Sequence, residues 1–202
     1  MYLTRARSLR ETRRRRARGL SWRILVIGDV HSPCEFEMPL QPREELDMVA
    51  TLGDIPTGVM ERVLWWARGT PVVGVPGNHD AEEVPGIVNA HGRVVEIAGL
   101  RIAGFGGART YRQGPNQFRD WQVARQLYLM GPAEVFLSHA PPLSTSLSEG
   151  SVHRGFAAFD RYIERRRPRV WLHGHLTHAY HQWIGSTRVL GVVGKRLVTV
   201  EP

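Results

Sequence analysis

Five short apolar runs in this chain each end in Asp, Asn or His: Asp29 and His31, then Asp54, then Asn78, His79 and Asp80, then His139, and last His173 with His175. These are oxygen and nitrogen donors with no thiolate among them, a set that suits manganese, iron or zinc rather than a soft metal. Asp29 and His31 stand two positions apart, so on an extended chain both side chains leave the same face and can reach one ion. Asp54 can offer its two carboxylate oxygens to two cations at once. Asn78 adds a neutral amide oxygen, which holds a dication without cancelling its charge, and His139 and His175 make a second, nitrogen-rich set. Two dications carry about +4; two carboxylates and a bridging hydroxide return three charges, leaving about +1 for an incoming phosphate oxygen. Such ions stand roughly 3.5–4 Å apart, and the water between them loses its proton near neutral pH. Hydrolysis of a phosphate mono- or diester fits that chemistry.

The elements that must position these groups read as strand and helix in alternation from Ser21 onward. "RILVIGDVH", "LDMVATLGD", "PVVGVPGNHD", "AEVFLSHAPP" and "RVWLHGHLTH" are apolar runs of strand length that open into polar loops. "GVMERVLWWARG" has helical spacing, with Val59, Val63, Leu64 and Trp66 on one face and Gly69 as a stop. "NQFRDWQVARQLYLMG" reads as a second helix and "GFAAFDRYIERRR", ended by Pro168, as a third. "RVVEIAGLRIAGFGG" predicts a β-hairpin turning at Gly99, and "TRVLGVVGKRLVTVE" a closing β-hairpin. With no repeat and no internal linker after residue 20, this is one α/β domain over residues 21–202. In α/β sheets, ligand sites collect beyond the carboxyl ends of strands, where all five polar groups fall.

In order and spacing these residues resemble the calcineurin-like metallophosphoesterases, across residues 22–200. The family pattern of D-x-H, G-D, G-N-H-[DE], a lone His and G-H-x-H reads here as Asp29-Val-His31, Gly53-Asp54, Gly77-Asn78-His79-Asp80, "SHAPP" with His139, and Gly174-His175. The likeness is greatest to small single-domain bacterial members with a "SHAPP" loop. It implies a four-layer sandwich of two mixed β-sheets flanked by helices, with two divalent ions (Mn, Fe or Zn) at one edge. It also implies metal ligation by Asp29, His31, Asp54, Asn78, His139 and His175. His79 would face the substrate, stabilising the phosphoryl group or protonating the leaving oxygen, and Asp80 would orient His79. One position departs from the pattern: the last His belongs at 177, where this chain has Thr. His178 can fill the place through a shift of one residue, water beside Thr177 can fill it, or His173 can reach in from the strand. We expect His178.

Composition narrows the partners. Of the net charge of +8, +7 sits in residues 1–20, which hold eight Arg against Glu11, so the remaining 182 residues are nearly neutral. Such an arm is a plain solvated tail or a nucleic-acid-binding segment, and the second alternative keeps a nuclease among the enzymatic readings. A binding scaffold that has kept the fold without the chemistry is the alternative of another class, although every motif except the last is intact. No apolar run approaches the roughly 18 residues of a membrane span. The basic N-terminus has no apolar stretch for a secretory signal, and Cys34 is the single cysteine. A cytoplasmic protein is expected. Cys34 reads as a packed small side chain, and Trp65, Trp66, Trp121 and Trp171 as core or helix–sheet contacts. The loop at 106–118 is placed to overhang the site; solvated arginines are its default reading, and a grip on a second phosphate or a base by Arg109, Tyr111 and Arg112 is the alternative.

Overall fold

The computed structural model describes residues 19, 21–30, 32, 36–37, 45–80, 84–111, 113–146 and 152–202. His31, Cys34, Arg112 and all of the arginine-rich arm except Gly19 lie outside them.

Two large mixed sheets pack face to face. In the first, β1 (Trp22–Gly28), β2 (Met48–Thr51), β3 (Val72–Gly74) and β4 (Val88–Asn89) run parallel, and β13 (Gly194–Val200) lies antiparallel beside β1. In the second, β6 (Leu100–Phe105), β9 (Val135–Ser138), β10 (Val170–His173) and β12 (Thr187–Gly191) form a parallel centre. Its edges are the antiparallel strands β5 (Val94–Ile97) and β11 (Tyr180–Ile184). A short pair, β7 (Ala108–Arg109) and β8 (Gln117–Phe118), stands apart.

The alternation of side chains along each strand builds the layers. Ile24 and Val26 of β1, Met48 and Ala50 of β2, Ile102 of β6, Leu137 of β9 and Leu172 of β10 meet between the sheets. Their neighbours Leu25, Ile27 and Val49 point the other way, onto Val59, Met60 and Val63 of helix α1 (Thr57–Trp66). Phe105, Phe136 and Trp171 point outward from the second sheet onto α2 (Asp120–Leu129) and α3 (Ala157–Arg166), with the Phe136 and Trp171 rings stacked at 3.8 Å. The result is helix, sheet, sheet, helix: the four-layer sandwich of the sequence reading. Among the described residues no helix is long and apolar enough to cross a membrane.

Local readings held where one element decided its own form. The hairpin of β5 and β6 turns at Ala98 and Gly99, whose φ values of 48° and 74° both suit a two-residue turn. They failed where tertiary pairing decides. The closing segment is not a hairpin: β12 stays in the second sheet and pairs with β11 around Gly185, while β13 crosses to the first sheet beside β1. Helix α2 begins at Asp120 rather than near residue 116, because Gln117 and Phe118 are used by β8. Trp171 is fully buried as expected, but Trp65 and Trp121 are 65% and 60% exposed. Both lie on helix faces turned from the sheets.

Candidate metal centre

The parallel strands of both sheets deliver their carboxyl-terminal loops to one edge. Asp29 follows β1, Asp54 follows β2, Asn78 and His79 follow β3, His139 follows β9 and His175 follows β10. Asp29, Asp54 and His175 all take positive φ, at 47°, 51° and 59°. That conformation is costly for non-glycine residues, and three of them at one edge mark it as a place where side-chain direction matters more than local comfort.

The loops of the first sheet interlock. Gly53 and Gly77 touch so closely that a Cβ on Gly53 would lie 2.1 Å from the Gly77 nitrogen, and one on Gly77 would lie 2.0 Å from Asp54 Oδ1. Only glycine fits at either position. The Asp80 carboxylate ties the same loops together, accepting from the backbone amides of Gly77 at 2.7 Å and Asp54 at 3.1 Å. Both bonds fall on Oδ2 of Asp80, the residue to which the family resemblance assigns the task of steering His79. Asn116 clamps the overhanging loop onto them, donating from Nδ2 to the carbonyls of Gly77 and Asp80 at 3.0 and 2.7 Å.

At the seam between the sheets sits His139, fully buried. Its Nδ1 donates to the Leu52 carbonyl at 2.8 Å, which turns Nε2 toward Asn78 Oδ1 at 2.8 Å and Asp54 Oδ2 at 3.3 Å. Asn78, also fully buried, donates from Nδ2 to the Tyr111 hydroxyl at 3.0 Å, so its oxygen is the atom that faces His139. The other oxygen of Asp54 accepts from the His79 amide at 3.0 Å. An imidazole nitrogen, an amide oxygen and a carboxylate oxygen therefore crowd one point. With Nδ1 committed as a donor, only a second ring proton or a cation can satisfy all three. Ligand atoms of Asp54, His139 and His175 all lie within 4.8 Å of one another. An N,O-donor set with one carboxylate at this spacing fits a divalent transition ion.

Asp29 is buried against the β10 turn, where Oδ2 accepts from the Leu176 amide at 3.3 Å. Burial pushes its carboxyl up to about 6, with Asp54 adding to the rise and His139 opposing it. Burial also acts on Asp54, but the hydrogen bond and charge of His139 outweigh it and hold Asp54 below its ordinary range. His139 is the converse. Burial would lower it, yet its bond to Asp54 and the charges of Asp29 and Asp54 raise it. Burial, with His139 nearby, takes His175 down to about 4, so its ring is neutral at physiological pH.

An open cleft of about 930 Å³ lies over this cluster, with Asp29, Asp54 and His175 in its lining and His79 exposed at its rim. Tyr111 also lines the cleft, as expected for the overhanging loop. The three candidates for the missing last ligand fare differently. His173 is locked behind the cluster: Nδ1 donates to the Gly174 carbonyl at 2.8 Å, and the Tyr180 hydroxyl donates to Nε2 at 2.6 Å. Thr177 and His178 are both exposed, bonded to each other at 3.0 Å. A fourth residue, passed over in the sequence, does face the cleft. His153 lines it, with its ring 5.1 Å from that of His175. It belongs to no motif; only its place after the "SHAPP" loop could have drawn attention to it.

A two-sheet sandwich with an N,O-donor cluster at one edge is the architecture that the motif resemblance implied. The profile of the calcineurin-like phosphoesterases matches residues 23–179, and the chain belongs to that family. Among solved structures it is similar to the protein TT1561 of Thermus thermophilus, with a TM-score of 0.61, 17% identity, and coverage of 89% of this chain and 98% of that one. It is equally similar to the phosphopantetheinyl hydrolase PptH of Mycobacterium tuberculosis, with a TM-score of 0.61, 16% identity, and coverage of 89% and 96%. A putative 5'-nucleotidase of Staphylococcus aureus matches at TM-score 0.52 and 12% identity over 86% of this chain and 49% of that one. An uncharacterized protein of Haemophilus influenzae is 30% identical over 94 residues, which span 42% of each chain.

Proposed function

We propose that this chain hydrolyses phosphate mono- or diesters of a small molecule or nucleotide with two divalent cations, residues 21–202 forming the catalytic domain of a cytoplasmic enzyme. The observation that carries the reading is the convergence of Asp54, His139 and His175 ligand atoms within 4.8 Å at the floor of an open cleft. Asp29, Asp54, Asn78, His139 and His175 would hold the cations, together with His31, which lies outside the described residues. Manganese, iron and zinc all suit these donors. When bound, the cations supply an activated water and offset the charge of the phosphoryl oxygens.

The chain's own residues do the rest. Asn78 presents a neutral oxygen because Tyr111 holds its amino group. His79 is exposed at the cleft rim, where its ring can approach a phosphoryl oxygen or hand a proton to the leaving group. Its backbone amide is pinned to Asp54, which fixes where the imidazole starts. Asp80 keeps the two carboxyl-end loops in register. Two fold neighbours are named as a phosphopantetheinyl hydrolase and a putative 5'-nucleotidase, and the corresponding esters belong in the first substrate panel.

The test is turnover of p-nitrophenyl mono- and diesters, nucleotides and phosphopantetheinyl esters by metal-stripped protein refilled with Mn(II), beside Asp54→Ala and His79→Ala. Turnover should require the metal and fall in both variants, with metal lost in Asp54→Ala alone. No hydrolysis of any ester with Mn(II), Fe(II) or Zn(II) would overturn the reading and favour a non-catalytic scaffold. Activity confined to nucleic acid, falling steeply with salt and abolished by removing residues 1–20, would favour a nuclease.

A further inference from the structure

The final motif of this chain lacks its second histidine; of the nearby substitutes, His173 is engaged by Gly174 and Tyr180, and Thr177 and His178 are exposed and bond each other. From a different loop, we infer that His153 supplies the missing imidazole to a cation in this cleft. The inference rests on the metal-dependent reading above and deepens it.

Three observations place His153. Its ring lies 5.1 Å from that of His175 and is tilted by 59° to it, so the two imidazoles are neighbours in space in the cleft lining. It lines the cleft together with the buried Asp29 and the half-buried Asp54. Its backbone is also held in place from both sides. The preceding carbonyl, of Val152, accepts from His175 Nε2 at 2.8 Å, so the segment is anchored to the very histidine it would assist. Two residues on, the Gly155 amide donates to Ser146 Oγ at 2.7 Å, and a Cβ there would lie 2.2 Å from the Pro141 carbonyl. The Phe156 amide then donates to that Pro141 carbonyl at 3.2 Å, and the Phe156 carbonyl accepts from Leu143 at 3.2 Å. The fully buried Phe156 ring completes the anchor in the core of the second sheet. A histidine on a loop pinned at residues 152 and 155 starts near the cluster rather than searching for it, which lowers the entropy cost of ligation.

The experiment is titration of the metal-stripped full chain with Mn(II), read by calorimetry and by metal content after gel filtration. The comparison set is His153→Ala, His153→Gln, His178→Ala and Asp54→Ala, with thermal melting of the metal-free proteins as a folding control. His153→Ala should weaken one Mn(II) site by about tenfold or more, at an unchanged metal-free melting temperature, while His178→Ala binds as wild type. His153→Gln, which keeps the length but offers a poorer donor, should show the same loss if the alanine variant does not fold. Wild-type binding in His153→Ala or His153→Gln, or loss of a site in His178→Ala instead, would overturn the inference and leave the phosphoesterase reading standing. If the wild type itself binds no Mn(II), Fe(II) or Zn(II) and Asp54→Ala is indistinguishable from it, the underlying reading fails and takes this one with it.

Discussion

The two sheets contribute different chemistry to one edge. From the first come the oxygens, Asp29, Asp54 and Asn78; from the second come the imidazoles, His139 and His175. The oxygen side is interlocked by backbone, with Gly53 against Gly77 and Asp80 on two amides. The imidazole side is attached by individual side chains, His139 through the Leu52 carbonyl and His175 through the Val152 carbonyl. Neither sheet alone holds a full donor set, so metal affinity depends on how firmly the sheets are held in register. That is a task for the central core and for the few bonds that cross the seam.

Breaking the oxygen side should have the largest effect. Gly77→Ala drives a methyl into Asp54 Oδ1 and the Asp54 nitrogen at 2.0 and 2.5 Å. Turnover should fall on the order of 10³-fold as the carboxylate leaves its place, with about 3 kcal/mol of stability lost in urea denaturation. A Gly77→Ala protein with wild-type kinetics would show that the interlock does not set the site. Next is the crossing bond. His139→Ala strands the buried Leu52 carbonyl and should cost about 2–3 kcal/mol of stability even without metal. Loss of metal binding with unchanged stability would mean that His139 does not hold the sheets together.

Tyr111→Phe tests the outer support of Asn78. With no hydroxyl to accept from Nδ2, the amide can flip and offer nitrogen instead of oxygen. Mn(II) affinity should fall by about tenfold, measured by calorimetry, with little change in melting temperature. An unchanged affinity would show that His139 alone orients the amide.

The smallest effect is a pH dependence at His91, further along the same edge. His91 follows β4 of the first sheet, bridges Gly104 of the second, and accepts the Gly106 amide at Nδ1 at 2.9 Å. Burial holds it below the usual histidine range, so the folded protein keeps it neutral. The unfolded chain takes up that proton more readily, near pH 6.5. The stability tied to neutral His91 is therefore present above about pH 6.5 and lost as pH falls toward the lower folded value. Urea midpoints at pH 8 and pH 5 should separate more for wild type than for His91→Gln; equal separations would remove His91 from the account.

Much of this could be read from the sequence, because the strands of both sheets are local apolar runs and their polar ends are short motifs in a fixed order. The polar ends of Asp54, Asn78 and His139 needed no knowledge of pairing to be picked out. What could not be read is contact between distant segments. The stretch at 187–201 alternates like a hairpin, but the choice of β11 for β12 and of β1 for β13 is made by burial across the whole sandwich. His153 was missed for the same reason: it sits in a Ser- and Gly-containing loop with no spacing signal, and only the anchoring of Gly155 and Phe156 brings it to the cleft. Trp65 and Trp121 looked like core residues by type, yet their helices turn Val63 and Val123 inward instead.

The most direct measurement is anomalous diffraction from crystals of the full chain grown with Mn(II). The account predicts anomalous peaks at the edge where the two sheets meet, with Asp54 and His175 at bonding distances of about 2.0–2.2 Å, as for comparable transition ions. Mn(II) bound elsewhere, with His139 Nε2 still on Asn78 and Asp54, would contradict it.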